Sequence, residues 1–126
     1  MVSEQEDRIA GAIVDSALTV HRRLGPGLLE SVYELCLFHE LTKRSIQVER
    51  QVGFPIQYDD LKIESGLRLD LLVAGLVIVE IKAVEKLAPV HQAQLLTYLK
   101  LTDKKLGLLI NFNVPLIKDG IKRMVI

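Results

Sequence analysis

The sequence has few of the residues that form disulfides or aromatic stacking surfaces. Cys36 is the single cysteine, and tryptophan is absent beside three phenylalanines and three tyrosines. One thiol excludes an internal disulfide and a zinc site with several thiolates, and the few aromatic residues argue against a platform for single-stranded bases. Cys36 lies in an apolar stretch and is predicted to be a small core residue.

An excess of either charge is also missing. Sixteen Lys and Arg residues balance sixteen Asp and Glu residues, so the formal net charge is zero. Domains held to nucleic acid by charge alone are usually strongly basic, and this balance argues against such a protein. Residues 82–126 nevertheless carry eight basic and three acidic groups. This basic third indicates either a surface attractive to phosphate or a merely solvated face.

The sequence contains no recognisable targeting or membrane segment. Glu4, Glu6 and Asp7 are acidic where a signal peptide would be basic, and no apolar run approaches the roughly 20 residues that span a bilayer. We therefore expect a soluble, cytoplasmic protein without a membrane partner. The length fits a single compact domain over residues 1–126.

Hydrophobic periodicity predicts an α/β domain. Helices are predicted between caps at Ser3 and Gly25, over residues 29–43 and over residues 89–101. Strands are predicted over residues 46–58, 67–73, 76–81, 106–112 and, as a possible last strand, 121–126. This order predicts a central mixed β-sheet flanked by helices.

Three charged residues interrupt the two most apolar strands. Asp70 stands between two leucines, and Glu80 and Lys82 flank Ile81 on one side of their strand. Burying a charge costs free energy unless the charge is paired or holds a metal ion. The pattern therefore predicts either a structural salt-bridge cluster or a functional site.

The loop between these strands decides whether the two carboxylates meet. A two-residue turn at residues 74–75 would place Asp70 opposite Val79, whereas an odd loop would place it opposite Glu80. Gly75 suits the positive φ of an odd loop, and we predict that loop.

Two carboxylates on one face make a chemically specific arrangement. Asp70 and Glu80, with the backbone carbonyl of Ile81 nearby, would form a hard-cation site of the Mg²⁺ type. Lys82 could orient a water molecule or offset charge that develops on a phosphate.

Asp70, nine intervening residues and then Glu80-Ile81-Lys82 resemble the catalytic signature of the PD-(D/E)xK nuclease-like superfamily. The predicted order of elements, α-α-β-β-β-α-β-β, also resembles its restriction-endonuclease-like core.

Two further motifs strengthen the resemblance. Residues 27–33 match the motif of the GxxExxY protein family, and residues 94–98 resemble the Q-x-x-x-Y helix of the RecB-type branch. The likeness extends from about residue 9 to residue 113.

The resemblance implies roles for individual residues. Asp70 and Glu80 would ligate a divalent metal ion, Mg²⁺ or Mn²⁺, and Lys82 would position or activate the attacking water. Glu30 would add an acidic group to the metal site, directly or through water. Glu30 has a simpler alternative role, because an acidic residue in a first helical turn also stabilises the helix dipole.

Three other residues are implied as neighbours of the metal site. Gln94 would hold the site or contact the substrate backbone, and Tyr98 lies one turn further on the same face of the helix. A polar pair at the border of the core is the alternative for these two. Tyr33 would support the site by packing and hydrogen bonding.

Two functions of different class follow from these residues. The first is a metal-dependent nuclease that hydrolyses a phosphodiester through a metal-bound water, in DNA as first choice and RNA as second. The second is a non-catalytic module that binds nucleic acid or protein on the same fold. The small domain also predicts a homodimer or a larger complex, with residues 106–110 and 124–126 as apolar contacts.

Overall fold

Five strands form one sheet with helices on both faces in this computed structural model, which describes all 126 residues. The helices are α1 (Glu4–Leu24), α2 (Glu30–Lys43) and α3 (Pro89–Thr102). The strands are β1 (Val48–Tyr58), β2 (Leu61–Val73), β3 (Val77–Lys82), β4 (Leu106–Asn111) and β5 (Ile121–Val125), and a short 3-10 helix (Ile117–Gly120) precedes the last strand. The predicted order of elements is confirmed. None of the helices combines the length and apolar character needed to cross a bilayer.

The order of strands in the sheet follows the order of the chain, from β1 to β5. Neighbouring strands are antiparallel except β3 and β4, which are parallel. A parallel pair needs a crossover connection, and α3 supplies it. The carboxyl ends of β3 and β4 consequently lie at the same edge of the sheet, where Lys82 pairs with Asn111.

Two apolar layers cover the two faces of the sheet. The larger layer lies under α1 and α2, and it contains Val77, Val79 and Ile81 of β3. The smaller layer lies under α3, where Leu95 packs with Ile78 and other residues of the alternate face. Glu80 follows the parity of Ile78, so its side chain leaves the strand toward α3.

The hairpin of β1 and β2 changes faces along its length. In β1, Val48 contacts the layer under α1 and α2, but Val52, which has the same parity, contacts the layer under α3. In β2, Leu71 and Leu69 divide in the same way. Alternate residues of a regular strand stay on one face. The side chains of both strands therefore exchange faces of the sheet between these positions.

This exchange of faces occurs at Gln51 and Asp70. The ladder between β1 and β2 keeps one register on both sides of these two residues but does not pair them. Gln51 has a φ of 52°, in the left-handed region that a non-glycine residue rarely adopts. This irregular point of the hairpin therefore contains one of the predicted site residues, Asp70.

The prediction that residues 106–110 form an apolar contact surface is wrong. Every residue of β4 is buried, because the strand lies in the middle of the sheet with an apolar layer on each face. Val125 and Ile126 at the end of the chain remain about half exposed. Of the two predicted apolar contacts, the one at the carboxyl end of the chain therefore keeps side chains available to a partner.

Tyr33 joins α2 to the loop that precedes it. Its ring is fully buried and stacks on Phe112, with 4.6 Å between the ring centroids. Its hydroxyl donates a hydrogen bond to the carbonyl of Gly25 at 2.6 Å and accepts one from the N–H of Leu28 at 3.0 Å. The loop between α1 and α2 is thereby fixed to the core.

We expect Tyr33→Phe to lower the free energy of unfolding by about 1 kcal/mol, because it removes both hydrogen bonds and leaves the stacked ring in place. Urea unfolding followed by circular dichroism measures this difference. Tyr58→Phe is the matched control, since Tyr58 is 69% exposed. Equal stability of the two variants would contradict the structural role of the hydroxyl.

Candidate metal centre

The loop between β2 and β3 has the odd length that was predicted. Leu71 pairs with Val79, so Asp70 and Glu80 are the next opposed residues. Gly75 has a φ of 66°, which glycine adopts without a steric cost. The two carboxylates therefore meet across the adjacent strands, as the prediction required.

At Asp70 and Glu80, side-chain carboxylates accept hydrogen bonds that backbone carbonyls would accept in a regular ladder. The carboxylate of Asp70 accepts a hydrogen bond from the N–H of Ile81 at 2.8 Å. The carboxylate of Glu80 accepts one from the N–H of Asp70 at 2.9 Å. Each carboxylate is thus bound to the backbone of the opposite strand, which fixes both side chains before any ligand arrives.

The electrostatics of the pair favour a proton or a cation. Burial, and then the charge of Asp70, raise the pKa of Glu80 from its ordinary range to about 8. Burial also raises the pKa of Asp70, although the N–H of Ile81 and the charge of Lys82 lower it in part. A divalent ion between the carboxylates would remove their repulsion and favour the ionised forms.

Lys82 lies near the two carboxylates but forms no ion pair with either of them. Its charge lowers the pKa of both Asp70 and Glu80, so the ammonium lies near the pair. It forms an ion pair with neither, and the ion pairs of the chain lie elsewhere. The three charges therefore form no salt-bridge cluster in this structure.

Gln94 and Tyr98 reach the pair from α3. The side-chain amide of Gln94 donates a hydrogen bond to the hydroxyl of Tyr98 at 3.1 Å. Burial, followed by the charges of Glu80 and Asp70, raises the pKa of Tyr98. The hydroxyl of Tyr98 and the amide of Gln94 therefore lie on the α3 side of the carboxylates.

Glu30 approaches from the other side, at the first residue of α2. It is exposed and lines an open cavity of about 490 Å³ that also contains Asp70. Its charge contributes to the raised pKa of Glu80. Tyr33, on the same helix, contacts the core instead, through the stacking and hydrogen bonds described above.

Three polar residues around the cavity escaped the sequence analysis. Glu34 is buried, and its carboxylate accepts hydrogen bonds from Gln51 at 2.8 Å and from Arg50 at 3.3 Å. Glu34 follows Glu30 by four residues, which places both on one face of α2, and this spacing was an available signal. Gln51 had no signal, because strand periodicity does not predict a left-handed backbone at glutamine.

Asn111 was missed as well, although it interrupts an apolar strand as Asp70 does. It is 2% exposed, and its side chain makes two hydrogen bonds to the backbone of Val84, as donor at 2.9 Å and as acceptor at 3.0 Å. These bonds hold the segment that follows Lys82. Asn111 therefore fixes the end of β3 on which the lysine lies.

The donor set is small but suits a hard cation. The structure gathers no group of three His, Cys, Asp or Glu side chains as ready ligands of one metal ion. Mg²⁺ usually binds through one or two carboxylates and completes its shell with waters and substrate phosphates. The oxygen atoms of Asp70, Glu80 and the Ile81 carbonyl fit that requirement.

These features coincide with those of a known family. A family model described as the PD-(D/E)XK nuclease superfamily matches residues 7–124. The chain belongs to this superfamily. Membership indicates a nuclease-like function, and nucleases of the superfamily generally use divalent metal ions.

A solved structure supports the same fold. The crystal structure of SSO0001 matches 77% of this chain with a TM-score of 0.52 and 22% sequence identity. The match spans about half of that chain, 49% of its length. The restriction-endonuclease-like α/β fold is confirmed by the family match and this likeness together. The search of curated proteins found no match.

We expect the metal-free protein to become less stable as the pH rises. The folded state raises the pKa of Glu80 to about 8 from 4.5, so folding is favoured while this group holds its proton. The contribution is complete below the unfolded pKa and is lost as the pH rises through the folded pKa. Thermal unfolding with chelator, from about pH 5 to about pH 9, measures this loss.

Glu80→Gln should flatten that pH dependence, because an amide does not titrate. Glu85→Gln changes an exposed glutamate five residues away and should follow the wild type. A wild-type Tm that rises relative to Glu80→Gln over the same pH range would contradict the assignment.

Above the Glu80 pKa of about 8, Asp70→Asn should raise the Tm of the metal-free protein, because it relieves the repulsion between two ionised carboxylates. Added Mn²⁺ should raise the Tm of the wild type and leave that of this variant unchanged, since a ligand stabilises only the state that binds it. Differential scanning fluorimetry measures both shifts, and Asp60→Asn at the exposed hairpin turn is the control. A destabilised Asp70→Asn, together with a wild type indifferent to Mn²⁺, would instead support a structural cluster.

Proposed function

We propose that this protein is a metal-dependent nuclease that hydrolyses phosphodiester bonds in DNA as first choice and RNA as second. The observation that carries the proposal is the pair of opposed carboxylates, buried Glu80 and half-buried Asp70, each bound to the backbone of the opposite strand. Two ionised carboxylates that are close together, largely removed from water and without an ion-pair partner are unfavourable unless they bind something positive. Membership of the superfamily supports the same chemistry.

Mg²⁺ or Mn²⁺ would be held by Asp70, Glu80 and the carbonyl of Ile81, with Glu30 acting directly or through water. When bound, such an ion supplies a water of lowered pKa and a positive charge beside the phosphate. The two carboxylates need no rearrangement, since their hydrogen bonds already hold them in place. This preorganisation is the form of electrostatic stabilisation that contributes most to catalysis in many enzymes.

Lys82 would position the attacking water and offset negative charge that develops on the phosphate. The ammonium group is available for this role because no ion pair holds it, while Asn111 fixes the segment that follows. Gln94 and Tyr98 would present an amide and a hydroxyl to the substrate backbone. The reaction requires no covalent intermediate with the protein.

The second candidate is a non-catalytic module that binds nucleic acid or protein. The formal net charge of zero favours it, because few phosphates can be neutralised by such a surface. A homodimer or larger complex would enlarge the binding surface in either case. Within the superfamily, residues 27–33 support membership of the GxxExxY family, and the cytoplasmic location stays a prediction.

A cleavage assay separates the two candidates. Supercoiled plasmid, single-stranded DNA and RNA are incubated with Mg²⁺, Mn²⁺ or chelator. We expect metal-dependent cleavage that falls by about 100-fold or more in Asp70→Ala and Lys82→Ala, the size typical of lost electrostatic stabilisation. Lys86→Ala changes an exposed lysine of the following segment and should keep the activity.

Two other results would overturn the nuclease proposal. Cleavage that persists in Asp70→Ala and Lys82→Ala belongs to a contaminating enzyme. No cleavage of any of the three substrates would favour the binding module.

A further inference from the structure

Gln51 has a backbone conformation that its own residue type does not favour. Its φ of 52° lies in the left-handed region, within a strand of eleven residues. A left-handed residue with a Cβ costs roughly 1–2 kcal/mol and persists only where neighbouring groups hold it. Backbone pairing does not hold Gln51, because the ladder omits this residue and Asp70. The cause must be sought in the side chain.

The side chain of Gln51 is held by α2. Its amide donates a hydrogen bond to one carboxylate oxygen of Glu34 at 2.8 Å. The other oxygen of Glu34 accepts from Arg50 at 3.3 Å, and the guanidinium of Arg50 lies 5.8 Å from the centre of the Phe38 ring. Glu34 is 6% exposed, and burial, followed by the charge of Asp70, raises its pKa, so these bonds compensate the burial of its charge only in part.

Gln51 also lies beside Asp70. The two residues occupy the unpaired position of the β1–β2 ladder, and both line the cavity that contains Glu34. Burial raises the pKa of Asp70, and the amide of Gln51 is one of the groups that lower it in part. A glutamine amide has two N–H donors, so one can serve Glu34 while the other faces Asp70.

We propose that Gln51 and Glu34 are positioning residues that hold the carboxylate of Asp70 toward β3. Glu34 acts through Gln51, because both of its oxygens are already occupied by Gln51 and Arg50. The consequence for metal binding rests on the proposed function, whereas the orientation of Asp70 does not. Loss of Gln51 should therefore release Asp70 whether or not a metal ion binds.

The orientation of Asp70 can be read without metal. The N–H of Ile81 donates to Asp70 at 2.8 Å, so the amide signal of Ile81 in a ¹H–¹⁵N spectrum reports the position of this carboxylate. We expect Gln51→Gly and Glu34→Gln to shift that signal in the metal-free protein. Gln57→Gly is the matched control, because Gln57 is an exposed glutamine further along β1 that bonds to its own turn.

Glycine is the informative replacement at Gln51. It adopts a φ of 52° without strain, so Gln51→Gly removes the side chain while favouring the observed backbone. This variant therefore adds no backbone strain, and a shifted Ile81 signal reports the loss of the Gln51 side chain. An unshifted Ile81 signal in Gln51→Gly overturns the proposal, whatever the metal affinity.

Titration with Mn²⁺, followed by the electron paramagnetic resonance signal of the free ion, measures the consequence. We expect a dissociation constant raised by about 10- to 100-fold in Gln51→Gly, as is typical when a neighbour of a metal ligand is lost. The double variant with Glu34→Gln should bind no more weakly than the weaker single variant, since the two residues act in series. Additive losses would overturn the serial arrangement.

A wild-type protein that binds no Mn²⁺ would overturn the proposed function instead. The Ile81 signal then decides the positioning role alone.

Discussion

The exchange of hydrogen bonds between Asp70 and Glu80 is the constraint on which the site depends. Each carboxylate accepts a hydrogen bond from the backbone of the opposite strand, so neither side chain can move without losing a contact between β2 and β3. The same exchange holds two acidic groups close together and away from water. Burial raises the pKa of both, and the charge of Asp70 adds to the rise at Glu80. One interaction therefore affects both the stability of the fold and the binding of a cation. At high pH the ionised pair lowers the stability of the metal-free protein and favours cation binding.

Most of the fold could be predicted because local signals agreed with the tertiary structure. The capping box at Ser3 and the odd loop at Gly75 are short-range features, and both are present. The prediction began β2 at residue 67, although the strand begins at Leu61. Residues 61–66 are all exposed, and residues 61–63 pair with β1, so the sequence of this segment carries no burial pattern from which a strand could be recognised.

The residues of the candidate site were likewise predictable only in part. Asp70, Glu80 and Lys82 could be found because a charge in an apolar strand is conspicuous, and the resemblance added Glu30, Gln94 and Tyr98. Glu34 and Gln51 meet only because the side chains of the β1–β2 hairpin exchange faces beside α2, and this depends on the tertiary structure. A left-handed backbone at glutamine has no sequence signature, since this conformation is favoured by glycine and by short polar residues such as asparagine and aspartate.

The short β2–β3 connection also determines when the site can form. Asp70 and Glu80 are joined by a local hairpin, whereas Lys82 meets Asn111 only after α3 has crossed from β3 to β4. Local contacts form faster than those that must close a long loop. During synthesis the two carboxylates leave the ribosome before Gln94 and Tyr98, so the acidic half of the site can assemble on a chain that still lacks its covering helix.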